Sequence, residues 1–208
     1  MDRPAPQIFK VRDEIDDGSF DGLHPNIPAM PSLCLIIGSV RSGKSNLLVN
    51  FFCSEQFYKD KFNVVRIVST TMHSDIKSSQ GAYKDKADRP KYALVLDDVL
   101  TKDFSKNNEV SFFSTRFRHY IDMYVIATQT FRAVSGLIRN NATDIIICRQ
   151  QNDMEKNKIA EEYAGLVGGL DNFFRLYNQC HSEQYQIMYM KASENPCQVF
   201  KNFSERIY

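Results

Sequence analysis

The sequence predicts an α/β fold: a mainly parallel central sheet flanked by helices and extended by a C-terminal β-hairpin. Three observations carry that expectation. Five short, almost unbroken apolar runs punctuate the chain, longer amphipathic or polar segments separate them, and the pattern changes over about the last fifty residues. The runs are LCLIIG at 33–38, NVVRIVST at 63–70, YALVLDDVL at 92–100, MYVIATQ at 123–129 and DIIIC at 144–148. Strands buried on both faces lose the apolar–polar alternation of a half-solvated strand, and parallel sheets covered by crossover helices are buried in that way.

Each segment has its own reason. Residues 1–31 hold six acidic and three basic residues, with Pro4, Pro6, Pro25, Pro28 and Pro31 among them. This composition favours an extended arm leading into one domain over 32–208. After the first run, Leu47, Leu48, Phe51 and Phe52 share a helical face, as do Phe112, Phe113, Phe117 and Tyr120 before the fourth. A helix is expected at 153–166, ended by the glycine-rich GLVGGL. FFRLYNQC and EQYQIMYMKA, separated by His181-Ser182, read as two antiparallel strands of a hairpin at the sheet edge.

Composition narrows the class. A chain of 208 residues, 43% of them hydrophobic, can bury one sizeable core. With 26 basic and 25 acidic residues, no global charge announces a nucleic-acid or membrane partner, so any such surface must be local. Five cysteines, an odd number with no CxxC pair, argue against a disulfide framework and against a zinc site and fit a reducing, intracellular setting. The N-terminus lacks a signal-type apolar core and no run approaches about 20 apolar residues, so a soluble protein without a membrane span is expected.

Chemistry concentrates at the ends of three runs. The first opens into Gly38-Ser39-Val40-Arg41-Ser42-Gly43-Lys44-Ser45, which fits GxxxxGK(S/T) and sits between an expected strand and an expected helix. Backbone amides must close around phosphates there, and a side chain at the second glycine would obstruct them. Lys44 supplies charge for the β- and γ-phosphates, Ser45 a hydroxyl for Mg²⁺, and the helix its positive end. The third run ends in the paired carboxylates Asp97 and Asp98, the first suited to hold the magnesium water shell and the second to orient or deprotonate an attacking water. The fourth ends in Thr128-Gln129, whose amide can donate to phosphate and position water. GTP is disfavoured because NKxD is missing and Asp97-Asp98-Val99-Leu100 lacks the glycine of DxxG, leaving ATP as the nucleotide.

HPNIP (24–28), GSVRSGKS (38–45), LVLDDV (94–99), TRFRHYIDMYVIATQ (115–129) and LIRNNATDIIIC (137–148) together resemble the genome-packaging ATPases of large double-stranded DNA viruses. These form the poxvirus-type branch of the FtsK–HerA superfamily, also found in virophages and related mobile elements. The resemblance runs from about His24 into the C-terminal hairpin. It implies a RecA-like core, ATP with Mg²⁺, and a ring oligomer, hexameric or pentameric. It also implies sequence-independent translocation of double-stranded DNA into a capsid whose proteins it meets at a vertex, in host cytoplasm, a viral factory or the virion. Carried over residue by residue, Lys44 and Ser45 match the P-loop, Asp97 and Asp98 the acids and Gln129 the sensor.

Ring ATPases borrow an arginine from the neighbouring subunit at the γ-phosphate, and Arg139, Arg116 and Arg118 are the candidates, with Arg139 first because it lies in LIRNN. The five basic residues of 76–91 offer a local patch for DNA backbone. The alternative function is a P-loop nucleotide or nucleoside kinase, which needs a lid and an acceptor pocket. A nucleotide-dependent structural subunit with little turnover is a third reading, against which the acid pair speaks.

Overall fold

The computed structural model describes residue 20 and residues 22–69, 90–99 and 108–208. Their sheet has eight strands in the order β2-β3-β4-β1-β5-β6-β7-β8. These are β1 (Ser32–Ile37), β2 (Val64–Ser69), β3 (Tyr92–Asp97), β4 (Met123–Thr128), β5 (Asp144–Cys148), β6 (Ile187–Lys191), β7 (Gln198–Lys201) and β8 (Glu205–Arg206). The first five run parallel, and the last three add antiparallel beyond β5. All five apolar runs are therefore strands. Every residue of β1, β4 and β5 is buried, while β2, at the edge of the described sheet, is only half covered.

Side chains alternate between two cores. Leu33, Leu35 and Ile37 of β1 point to one side, where they meet α3 (Gly136–Asn141), α4 (Asp153–Tyr163) and α5 (Leu170–Cys180). Cys34 and Ile36 point to the other, against Leu48 and Phe51 of α1 (Lys44–Cys53) and against Tyr58 and Phe203. The period of two along a strand distributes one apolar run over both layers. The second expected helical face divides. Phe113 of α2 (Asn108–Arg116) packs on the core and Phe117 is buried in the 3₁₀ turn that follows, whereas Phe112 and Tyr120 are exposed.

The C-terminal hairpin exists, but its strands differ from those expected. FFRLYNQC lies in α5, and the hairpin is β6 with β7. Phe173, Leu176, Tyr177 and Cys180 are its buried residues, and their i, i+3, i+4, i+7 spacing is the helical period. Residues 22–31 lie on the core. Ile27 is buried, Tyr58 Oη donates to the Pro28 carbonyl at 2.6 Å and Lys191 Nζ donates to that of Pro25. Most of the basic segment 76–91 lies outside the described residues.

Asp144, at the amino edge of β5, is a buried carboxyl that accepts from Tyr189 Oη at 2.5 Å and Thr143 Oγ1 at 2.8 Å. Burial raises its pKa to about 6, although the hydrogen bonds from Tyr189 and Thr143 and the charge of Lys191 pull the other way. A folded-state pKa above the unfolded one makes folding take up a proton. Its favourable contribution is whole below about pH 4 and is lost as pH rises to about 6. Asp144→Asn is expected to stabilise the fold by at most about 3 kcal/mol at about pH 7.5 and hardly at all near pH 4. Thermal unfolding at the two pH values checks this. Equal shifts at both would place the effect in hydrogen bonding and not in charge.

Candidate active site

The loop after β1 is shaped by close approach. A Cβ on Gly38 would collide with Ser42 Oγ and lie 2.6 Å from Cys148 Cβ, so β5 presses on the loop from behind. Arg41 at φ 59° and Gly43 at φ 99° take left-handed conformations, and Gly43 is the residue from which α1 starts. Turning the chain twice in this way is what gathers amides into a concave nest. No acidic residue occupies the first turn of α1, so its positive end is not neutralised.

Lys44 is buried and folds over the loop, donating to the carbonyls of Gly38 at 2.7 Å and Ser39 at 3.2 Å. Arg41, Ser42, Gly43, Lys44, Ser45, Asn46 and Tyr185 enclose an open cavity of about 270 Å³. The segment after β5 braces the loop: Ser39 Oγ accepts from the Gln151 amide at 2.9 Å, and Gln150 N–H donates to Tyr177 Oη at 2.7 Å. Burial pushes the Cys148 thiol up to about 11, so it sits behind the nest as a neutral packing group.

Strand register brings the other ends to this edge. Ile37 pairs with Thr128 across β1 and β4, and Gly38 N–H donates to the Thr128 carbonyl at 3.1 Å. Asp97 pairs with Ala127 across β3 and β4, and the next amide, Asp98 N–H, donates to the Ala127 carbonyl at 2.9 Å. Asp98 takes φ 53°, a left-handed conformation that Asp tolerates better than most residues. Its Oδ2 accepts a 2.7 Å hydrogen bond from Gln129 Nε2. The glutamine and the second acid are thus one unit, a pairing the sequence did not reveal. The pKa of half-buried Asp97 is raised by burial and by the Asp98 charge, and Lys44 opposes the rise. Lys44 and Asp97 therefore feel each other across one edge.

The arginines are placed differently. Arg139 is held within its own chain: Nη2 lies 3.3 Å from Glu162 Oε2, Nη1 donates to the Val134 carbonyl at 3.2 Å, and the guanidinium lies over the Phe131 ring at 4.9 Å. Arg116 lies over the exposed Phe112 ring at 4.2 Å. Arg118, also exposed, lines a hollow with Pro31, Thr143 and Asp144, at the edge opposite its own nest.

No family model matches the chain, and no curated protein matches its sequence. Solved structures do. B204, the DNA-packaging ATPase from Sulfolobus turreted icosahedral virus, aligns at TM-score 0.57 and 13% identity over 81% of this chain and 96% of its own. The genome-packaging NTPase B204 from Sulfolobus turreted icosahedral virus 2, in complex with sulfate, aligns at TM-score 0.56 and 12% identity over 81% and 95%. At this identity the likeness shows a shared fold: the chain has the α/β architecture that these viral packaging proteins also have.

Proposed function

We propose that this chain is an ATP-hydrolysing motor that translocates double-stranded viral DNA into a capsid. The observation that carries the reading is the Gln129 Nε2–Asp98 Oδ2 hydrogen bond beside the nest of Lys44. In this reading it couples a water-orienting carboxylate to a side chain that senses the γ-phosphate. The packaging role of the two structural neighbours supports the same reading, as do the motifs that resemble the FtsK–HerA packaging branch.

In this reading the amides of Ser39 through Ser45 and the Lys44 ammonium hold the triphosphate, and Lys44 exchanges its carbonyl partners for phosphate oxygens. The Ser45 hydroxyl and the Asp97 carboxylate are hard oxygen donors that would suit Mg²⁺. The ion, when bound, neutralises charge developing on the phosphates. Asp98 accepts the proton of the attacking water, and Gln129 orients that carboxylate and reports the state of the γ-phosphate to β4.

A ring supplies the remaining charge in trans. Arg139 would have to leave Glu162 and Phe131 to act there, so exposed Arg116 and Arg118 take precedence over it. The kinase alternative gains no support from the structural neighbours.

Long double-stranded DNA, irrespective of sequence, is expected to stimulate steady-state ATP hydrolysis, and the stimulation should fall steeply with added salt because phosphate contacts release counterions. Turnover indifferent to DNA, in a chain shown to assemble, would remove the motor reading.

A further inference from the structure

A second cavity, of about 290 Å³, adjoins the phosphate nest and shares Gly43, Asn46 and Tyr185 with it. Leu47, Asn50, Phe57, Ile187, Asn202 and Phe203 complete its walls. The antiparallel extension of the sheet is what builds it. Cys148 pairs with Ile187 and Met188 with Lys201, so the chain just before β6 and just after β7 returns to the edge where the nest lies. Tyr185 would lie within 3.5 Å of a Cβ built on Gly43, close against the start of α1, yet it is 58% exposed.

Three wall residues hold unusual backbone. Tyr185 has φ 65°, Asn202 φ 52° and Phe203 φ 61°. Left-handed aromatic residues are rare, and strain of this kind persists where the surroundings over-determine it, often at ligand clamps. Asn202 Oδ1 accepts from Ile187 N–H at 2.9 Å, and Asn202 N–H donates to the Ile187 carbonyl at 3.2 Å. With its oxygen so used, the Asn202 amide keeps its NH₂ group as a donor.

From this geometry we infer that the groove is the nucleobase subsite, in which a purine stacks on Tyr185 and takes a ring-nitrogen hydrogen bond from the Asn202 amide. The inference rests on the nucleotide-binding reading above. Continuity with the nest selects this occupant: a triphosphate seated on Ser39–Ser45 leads out past Gly43 and Asn46, and both residues also line the groove. A flat, apolar-faced ring with polar edges matches a slot of aromatic and aliphatic side chains interrupted by amides. Tyr185 then separates the two compartments and sets how tightly a nucleoside triphosphate binds relative to bare phosphate.

The test is calorimetric titration with Mg·ATP and with Mg·tripolyphosphate, which has the phosphates and no base. Tyr185→Ala is expected to weaken ATP binding about tenfold while tripolyphosphate binding stays within about twofold, since aromatic–base stacking is lost but the loop amides and the Lys44 ammonium that hold phosphate remain. Tyr185→Phe should retain wild-type ATP affinity, and Lys44→Ala should weaken both ligands. Tyr185 is exposed, so its truncation leaves the core intact. Unchanged ATP affinity in Tyr185→Ala, or equal losses for both ligands, would overturn the subsite. A wild-type chain that bound neither ligand would overturn the nucleotide reading and the subsite together, whereas one that bound both equally would overturn the subsite alone.

Discussion

Asp98→Asn is expected to slow ATP turnover by about 10² to 10⁴-fold, the usual worth of a positioned general base, with Mg·ATP affinity changed only a few-fold. The substitution isolates charge from shape. Asn tolerates the left-handed backbone at φ 53° as Asp does, so the turn after β3 survives. A side-chain oxygen remains to accept from Gln129 Nε2 at the present 2.7 Å, so the glutamine keeps its place. What disappears is the carboxylate that takes a proton from water, together with the one charge that, after burial, raises the pKa of Asp97. Single-turnover hydrolysis measured beside equilibrium nucleotide binding separates these effects. Near-normal turnover would move the base role to another residue, and a large loss of affinity would make Asp98 a binding group.

A second large effect is expected from removing an arginine that acts in trans. Charge stabilisation by such a residue is worth about 10³ to 10⁵ in rate, so an Arg116→Ala or Arg118→Ala chain should be nearly inactive by itself. A Lys44→Ala chain fails for a different reason, because it cannot hold nucleotide but still carries both arginines. Mixed, the two should partly recover, since each hybrid interface joins an intact nest to an intact arginine. Arg139→Ala is predicted to behave otherwise. Its guanidinium ties α3 to α4 through Glu162 and covers Phe131, so its loss should lower the melting temperature, and mixing should not restore it. Recovery in the Arg139→Ala mixture, and in neither of the others, would reverse this order. No recovery in any mixture, with subunit exchange demonstrated, would mean that each site is complete within one chain.

The parts of the fold legible in the sequence are those whose physics is local. DIIIC and MYVIAT are strands because doubly buried β-branched runs leave little alternative, and GSVRSGKS is a nest because its glycines stand where a Cβ would collide or where φ is positive. FFRLYNQC misled because its aromatic content suits a strand, while the spacing of Phe173, Leu176, Tyr177 and Cys180 belongs to a helix. β7, only Gln198–Lys201, is too short to announce itself beside the longer runs. Contacts that depend on register were out of reach. Nothing near Gln129 in sequence indicates that it meets Asp98, nothing in LIRNN indicates Glu162 as the partner of Arg139, and Tyr185 reaches Gly43 only because β6 returns antiparallel to β5.

Displacement of a third strand from double-stranded DNA tests the central claim most directly, because it requires movement along the duplex as well as hydrolysis. A triplex-forming oligonucleotide is placed at one end of a linear duplex and its release followed in time with the assembled protein. The motor account predicts release that requires ATP, begins after a lag that lengthens with the distance to the triplex, and vanishes with Asp98→Asn. Vigorous DNA-stimulated ATP hydrolysis with the triplex left in place would contradict it.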